Sequence, residues 1–469
     1  MVGNFFNRQC LILGFSFAYH RTKNGKRALR KGARILRDKV VERVIDLAKK
    51  KGIKAEVYYV SSQDTPIEFA NNRLKSLETK ASEGIALRVI ADNKLGFASS
   101  TDLTRLEDLM DAATATASIG DPVEFDFSQN FNAVENKTNG QFPKTEKLVE
   151  VGENLIDRVH QYNPDILVDV SFHSRSGRAK LATTTDVYTE QNAQSLSAVL
   201  SGNLVRGEDF LQAYSYEVSR DREPDYQAIL AKLIEKYKRA SNSAGIKSGT
   251  YPVLFTPSAV SSTMGRMFGT IFSGQSIVQK ASPLTDRLGE KMFDERLTVC
   301  EDPTIGVSAC DFDDEGVPTN KKNLIEQGVI KQFYWDRRWA ARQGIKSSGN
   351  GFRSGISRPS PSLANVCITP GSSTVEDLIA GIDEGIIVDQ VLGAGQSNIL
   401  AGEFSVNIDL GYKVERGKIV GRVKDTMVAG NIFEAFSNLI DLSDCPEWVG
   451  GSSYVPHVLF AKLGVAARG

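Results

Sequence analysis

Side chains able to bind a metal or attack a substrate are sparse in this 469-residue chain, and their spacing favours neither role. The four histidines, His20, His160, His173 and His457, never lie within one helical turn of each other, so no H-E-x-x-H pair exists. A catalytic zinc needs three protein ligands with a satisfied surround, and a set built from His457 and Cys445 supplies two. Cys445 with His457 and Asp441 is the one thiol constellation with a base and an orienting carboxylate nearby in sequence. Cys367 lies in an apolar run, Ala364 to Ile368, and reads as an inert core thiol. No G-x-S-x-G elbow is present. The acidic run Asp311-Phe312-Asp313-Asp314-Glu315-Gly316 opens like a calcium loop, but Lys322 stands where that loop needs a bidentate glutamate. It reads as a solvated turn before a strand, Asn323 to Ile325. Gly349-Asn350-Gly351 and Gly393-Ala394-Gly395 do not complete G-x-G-x-x-G, and glycines among strands more often mark bulges or close backbone approach. On that ground Gly393, Gly395, Asn398, Gly402 and Ser405 are candidates for pairing with an extended peptide at a sheet edge.

Composition narrows the class without naming a function. The chain is 41% apolar and 24% charged, as in ordinary globular proteins. Lys+Arg and Asp+Glu balance at 57 each, so no overall field draws it to nucleic acid or to anionic lipid. Five cysteines without a C-x-x-C pair suit a reducing cytoplasm. Residues 1–34 read as a basic extension apart from the fold. The apolar run Cys10 to Tyr19 lacks a cleavage signature and is too short to span a bilayer.

The pattern of elements predicts an α+β protein. An amphipathic helix over 28–51 leads to strands at 55–60, 65–69, 74–79, 84–91 and 95–98, then a helix over 102–117 capped by Thr101 or Asp102. Residues 120–143, rich in Gly, Asn, Asp and Pro, read as a linker-like loop. A helix over 145–162, strands at 165–172 and 179–187, an extended run 195–204 and a helix over 225–240 complete an N-terminal α+β domain, 35–245. Ser241 to Gly245 is the best boundary. The β-rich C-terminal domain, 246–469, alternates short strands with glycine turns, a helix from Thr374 and a hairpin at Glu415-Arg416-Gly417-Lys418.

That second domain opens with a strand, Tyr251 to Phe255, feeding a helix that Ser258 would cap, with Val260, Met264, Met267 and Phe268 on its apolar side. Many hydrolases keep reactive groups at such a place. Here the helix offers only Ser261, Ser262, Thr263 and Arg266.

Several stretches together resemble the TldD/PmbA family, once described as modulators of DNA gyrase. They include Asn72 to Glu78, Glu83 to Leu103, Asp313 to Pro318, Asn323 to Gly328, Asn365 to Gly371, Gly393 to Ser405, Gly411 to Gly417 and Gly430-Asn431. The match runs from about residue 40 to 465. The resemblance implies a metallopeptidase-like C-terminal domain and two kinds of subunit. One carries zinc on H-E-x-x-x-H plus a cysteine near the C-terminus; the other, PmbA or TldE, lacks the motif and pairs with the first. Laid onto this chain, the motif's histidines fall near Met264 and Gly269 and its glutamate near Gly265, none of them able to bind zinc. Cys445 falls near the family's cysteine ligand. The implied role is a non-catalytic partner, without zinc of its own, that helps hold extended peptides and pairs with a zinc-bearing subunit or with itself. The alternatives are a hydrolase whose site is assembled from distant residues, and a homodimeric regulatory binding protein.

Overall fold

The computed structural model describes residues 39–138, 140–207, 209–393 and 398–468. The basic extension and Gly395 lie outside the described residues.

The first half is one long, mostly antiparallel sheet with helices on it. Helix α1 (Val40–Lys50) precedes β1 (Lys54–Ala70), β2 (Arg73–Leu77), β3 (Lys80–Ala91) and β4 (Lys94–Ser100). Then come α2 (Leu106–Ser118), β5 (Phe131–Lys137), α3 (Thr145–Tyr162), β6 (Leu167–Thr183), β7 (Val187–Arg206), β8 (Asp209–Ser219) and α4 (Tyr226–Arg239). The strand order is β4-β3-β1-β6-β7-β5, with β2 on β1 and β8 on β7. Alternation along β1 sends Val57 and Tyr59 to the core under α1 and α2, and Tyr58 and Val60 to the opposite face. Asp92 and Asn93 make the β3–β4 turn with φ of 49° and 58°, a left-handed pair that matches strand twist.

Several boundaries differ from the sequence expectation, each for a local reason. The expected pairs of short strands at 55–69 and 165–187 are single long strands, β1 and β6, paired over their length. Pro66 falls in the gap between the β3 and β2 pairings, so it does not end β1. The loop expected over 120–143 contains β5, which adds in parallel to β7 from Phe131↔Val187 onward. Neither Thr101 nor Asp102 caps α2: the Asp102 carboxylate accepts from Thr104 N at 2.9 Å, closing a separate turn before the helix.

At Gly96 the sheet and α2 nearly touch. A Cβ there would lie 2.0 Å from the Ala113 carbonyl oxygen and 2.9 Å from Ala117 N. Backbone cannot give way as a side chain does. Gly96→Ala is therefore expected to lower stability by about 3 kcal/mol. Gly245→Ala, with nothing within 4 Å, should stay within about 0.5 kcal/mol of the parent in chemical denaturation.

The second half begins with β9 (Gly249–Phe255), α5 (Pro257–Val260), a π turn (Ser261–Gly265), α6 (Arg266–Ile271) and α7 (Gly274–Val278). There follow β10 (Val299–Glu301), β11 (Lys322–Glu326), β12 (Val329–Ile330), α8 (Arg337–Ala341), β13 (Gly351–Phe352), β14 (Ser360–Pro361) and β15 (Val366–Ile368). Helix α9 (Val375–Ala380) leads to β16 (Glu384–Leu392), β17 (Glu403–Glu415), β18 (Lys418–Arg422), β19 (Thr426–Asn431) and α10 (Ile432–Ser437). The chain ends in β20 (Leu439–Leu442), β21 (Glu447–Val449), β22 (Ser453–Val455) and β23 (Val458–Ala467). Five strands close on themselves: β16 pairs β9, β9 pairs β23, β23 pairs β19, β19 pairs β17, and β17 returns to β16. A second sheet runs β12-β11-β10-β15-β22-β21.

The two halves share apolar packing. Along β9, Val253 and Phe255 enter the C-terminal core while Leu254 turns the other way. Leu254 joins Ile387, Tyr412 and Leu459 in one cluster with Phe172, Leu200, Leu230 and Leu233 of the first half. The architecture is α+β throughout.

Candidate functional site

The strand-to-helix passage at 249–271 is where the sequence placed its reactive position. Thr256, not Ser258, is the N-cap: its hydroxyl accepts from Ala259 N at 3.4 Å, and Pro257 takes the first helical position, where no N–H is needed. After α5 the backbone widens into the π turn, then tightens again into α6. Met264, Met267, Phe268 and Ile271 are all buried in the C-terminal core.

The opposite side is nearly bare. Ser261 donates to the Ser453 hydroxyl of β22 at 3.0 Å. A Cβ at Gly265 would sit 3.7 Å from Ser261 Oγ and 4.0 Å from Ser453 Oγ, and one at Gly269 would meet nothing within 4 Å. The Tyr334 hydroxyl donates to the Gly269 carbonyl. Gly265 and Gly269 thus share the open side with Ser261, whereas Met264 faces the core. Position 264 does not look onto the space that Gly269 borders.

The residue reaching this helix from the C-terminal segment is Ser453. Cys445 is exposed, and His457 is held through its backbone: Ser443 N donates to the His457 carbonyl at 3.0 Å, and His457 N to Ser443 Oγ at 2.9 Å. Asp441 accepts from Ser373 at 2.5 Å and from its neighbour Leu442 N. The His457 Nδ1 is buried without a partner among the described residues, and burial holds the ring below the usual imidazole value. No hydrogen bond among the described residues links the Cys445 thiol, His457 ring and Asp441 carboxylate into a relay.

Among the peptide-edge candidates, Gly393 has φ +81° and is exposed, and Asn398 bridges to Glu403. Gly402 is buried, with φ +73° and a would-be Cβ 2.7 Å from Ile432 and Phe433, so it serves packing. Ser405 pairs with Ala429 of β19. The β16 pairing of β17 begins at Asn407, so over 404–406 the other edge of β17 has no strand partner among the described residues.

Zinc has no fit at this helix. Ser261, Gly265, Gly269 and Ser453 provide two hydroxyls and two glycines, and a zinc site takes thiolate, imidazole or carboxylate. No group of three or more His, Cys, Asp or Glu suited to a metal occurs among the described residues.

The acidic run at 311–316, expected to be a solvated turn, is instead buried from Phe312 to Gly316, with Asp311 left exposed. Asp313 and Glu315 are 1% and 0% exposed. Glu315 pairs with Arg88 of β3 at 2.9 Å and accepts from Arg337 N at 2.9 Å; Arg88 also pairs with Glu56 of β1 at 2.6 Å. Arg353 bonds Glu56 too, and its N–H donates to Asp314 at 2.8 Å, while the Tyr58 hydroxyl donates to Asp314 at 3.0 Å. The run bends inward at Gly316, where φ is +69°. Three acids flanked by Phe312 and Val317, with arginines scattered far off in sequence, gave no periodic signal of this burial.

These charges set a pH dependence. Burial alone raises the Glu56 carboxyl, but Arg88 and Arg353 outweigh it and hold it below the ordinary value. For Asp314 burial wins and pushes it up to about 6; burial and the Glu315 charge push Asp336 up to about 7 and raise Asp313. A raised carboxyl binds its proton more tightly in the native state than in the unfolded one, so stability falls as pH rises through those values. Lowering the pH from 8 to 6 is expected to stabilise the protein by about 1 to 2 kcal/mol, read as a higher thermal midpoint. Below the unfolded histidine value of about 6.5, His457 opposes the gain, because the unfolded ring takes up a proton that the buried one resists.

No helix among the described residues is long and apolar enough to cross a membrane. Residues 248–467 match the model of the PmbA/TldA metallopeptidase C-terminal domain, and 55–119 that of domain 1 of the same proteins. An uncharacterized protein of Methanocaldococcus jannaschii is 28% identical over 429 residues, 90% of this chain and 98% of its own length. The crystal structure of TldE from Thermococcus kodakarensis superposes with a TM-score of 0.79 at 25% identity, covering 91% of this chain and 100% of that one. A Thermotoga maritima structure described as a candidate modulator of a DNA gyrase gives a TM-score of 0.81 at 23% identity, with 92% and 100% coverage, and speaks to the fold alone.

Proposed function

Because this chain belongs to the PmbA/TldD metallopeptidase family, we propose that it acts as the non-catalytic, PmbA/TldE-like subunit of a peptidase complex whose zinc resides in a TldD-like H-E-x-x-x-H partner. The observation that carries this reading is the open side of the helix after β9. Ser261, Gly265, Gly269 and Ser453 border it, and none can ligate zinc or activate a bound water. The likeness to TldE supports the same assignment. In this reading the edge of β17 over 404–406, without a strand partner among the described residues, accepts an extended polypeptide by main-chain hydrogen bonding. The balanced charge favours neither DNA nor a membrane as partner.

The test is to purify the chain alone and with an H-E-x-x-x-H relative, then compare zinc content and cleavage of an unfolded polypeptide. Cleavage and zinc are expected only in the mixed preparation. Near-stoichiometric zinc in the chain alone, stripped by a chelator together with peptidase activity, would overturn the assignment.

A further inference from the structure

Strands β10 and β15 run antiparallel, and Cys300 stands directly opposite Cys367 in their register. Directly opposed residues in such a pair have Cα atoms about 4.5 to 5.5 Å apart. A disulfide spans Cα separations of about 4.4 to 6.8 Å, so the backbone already has the required spacing. The thiols are 7% and 6% exposed, shut off from a bulky reagent. The mostly exposed Lys321 side chain, paired with Asp302 at 3.0 Å, marks the nearby surface. Cys367 also donates to the Asn365 side-chain carbonyl at 3.7 Å. Sequence reading gave Cys367 as an inert core thiol; the register gives it a partner.

We propose that Cys300 and Cys367 form an oxidative modification site, a dithiol that hydrogen peroxide converts into a cross-strand disulfide. The Cys300 sulfur attacks first. Its thiolate is favoured by the hydrogen bond with Cys367 and the Lys321 ammonium, whereas the same thiol–thiol bond and burial raise Cys367. The Cys300 thiolate takes one peroxide oxygen as the O–O bond breaks, giving a sulfenic acid and hydroxide. Cys367 then attacks the Cys300 sulfur and the S–OH bond breaks; the transferred oxygen leaves as water with the Cys367 proton, and the hydroxide of the first step takes the proton that Cys300 gave up. The two thiols together give up two protons and two electrons, and one peroxide becomes two waters. The bond closes the segment from 300 to 367, which carries Asp313, Asp314, Glu315, Arg337 and Arg353 of the buried charge cluster. The oxidised form therefore ties down the part of the C-terminal half that grips β1 and β3.

The full chain is treated with hydrogen peroxide, denatured, alkylated and peptide-mapped. A Cys300–Cys367 linked peptide, two hydrogens lighter than the dithiol and restored by dithiothreitol, is the expected product. In Cys367→Ser the reaction should stall, and dimedone should label Cys300. The proposal fails if both thiols stay alkylatable under peroxide that oxidises the exposed Cys445. It fails equally if Cys300 pairs with Cys310. The wild-type map needs no variant to fold.

Discussion

Arg353→Met is expected to lower the stability of the chain by about 3 to 5 kcal/mol, the range for breaking one partner out of a buried ion pair. Arg353 is 1% exposed and serves several acceptors at once. Its guanidinium bonds Glu56 and the Ser357 carbonyl at 3.0 Å, and it lies 4.7 Å from the centre of the Tyr58 ring. Without it, Glu56 keeps its bonds to Arg88 and the weaker influence of Arg337, and the Asp314 carboxylate loses the compensating charge of Arg353. The loss should appear as an earlier midpoint in urea denaturation. Adding Glu56→Gln should recover part of it, since the uncompensated anion is then gone; a double variant no better than the sum of its singles would show that the two side chains do not interact.

Met264→Ala and Gly269→Ala should separate the two sides of the helix after β9. Met264 is wholly buried among Met267, Phe268 and the strands below, so truncation leaves a cavity and should cost about 2 to 5 kcal/mol. Gly269 lies in α6 with open space beyond it, and alanine there should be neutral or gain up to about 1 kcal/mol from helix propensity. Equal losses in thermal unfolding would mean that the Gly269 side is covered rather than open.

The sequence revealed the large elements because their signals are local. The 145–162 helix has its full apolar stripe. The Thr374 start of α9 shows as a capping box, with Thr374 accepting from Asp377 N at 3.1 Å and the Asp377 carboxylate accepting in return. Arg416 and Gly417, with φ of 49° and 72°, make the turn that the Glu415 to Lys418 run predicts. Legibility ended where position depends on residues far apart in the chain. Strand β5 exists because β7 offers it an edge, which its Asn-rich sequence does not announce. The acid cluster is buried because Arg88 and Arg353 come to it from different halves of the chain. At the candidate site the residue types along the helix could be read from sequence. Which residues share the open side could not, because helical wheels assume a constant angle per residue and this helix does not keep one.

The π turn at Ser261–Gly265 is in effect an inserted residue that the helix has absorbed. It resets the angular phase of everything after it, and α6 delivers Met267, Phe268 and Ile271 inward only with that offset. Winding the same residues as a uniform α-helix, with no residue removed, would rotate the downstream segment by about 100°, the angle per residue at 3.6 residues per turn. The sulfur and ring groups would swing toward water while Gly269 turned toward the interior. A uniform helix, more regular by every local measure, would then be the less compatible with this fold.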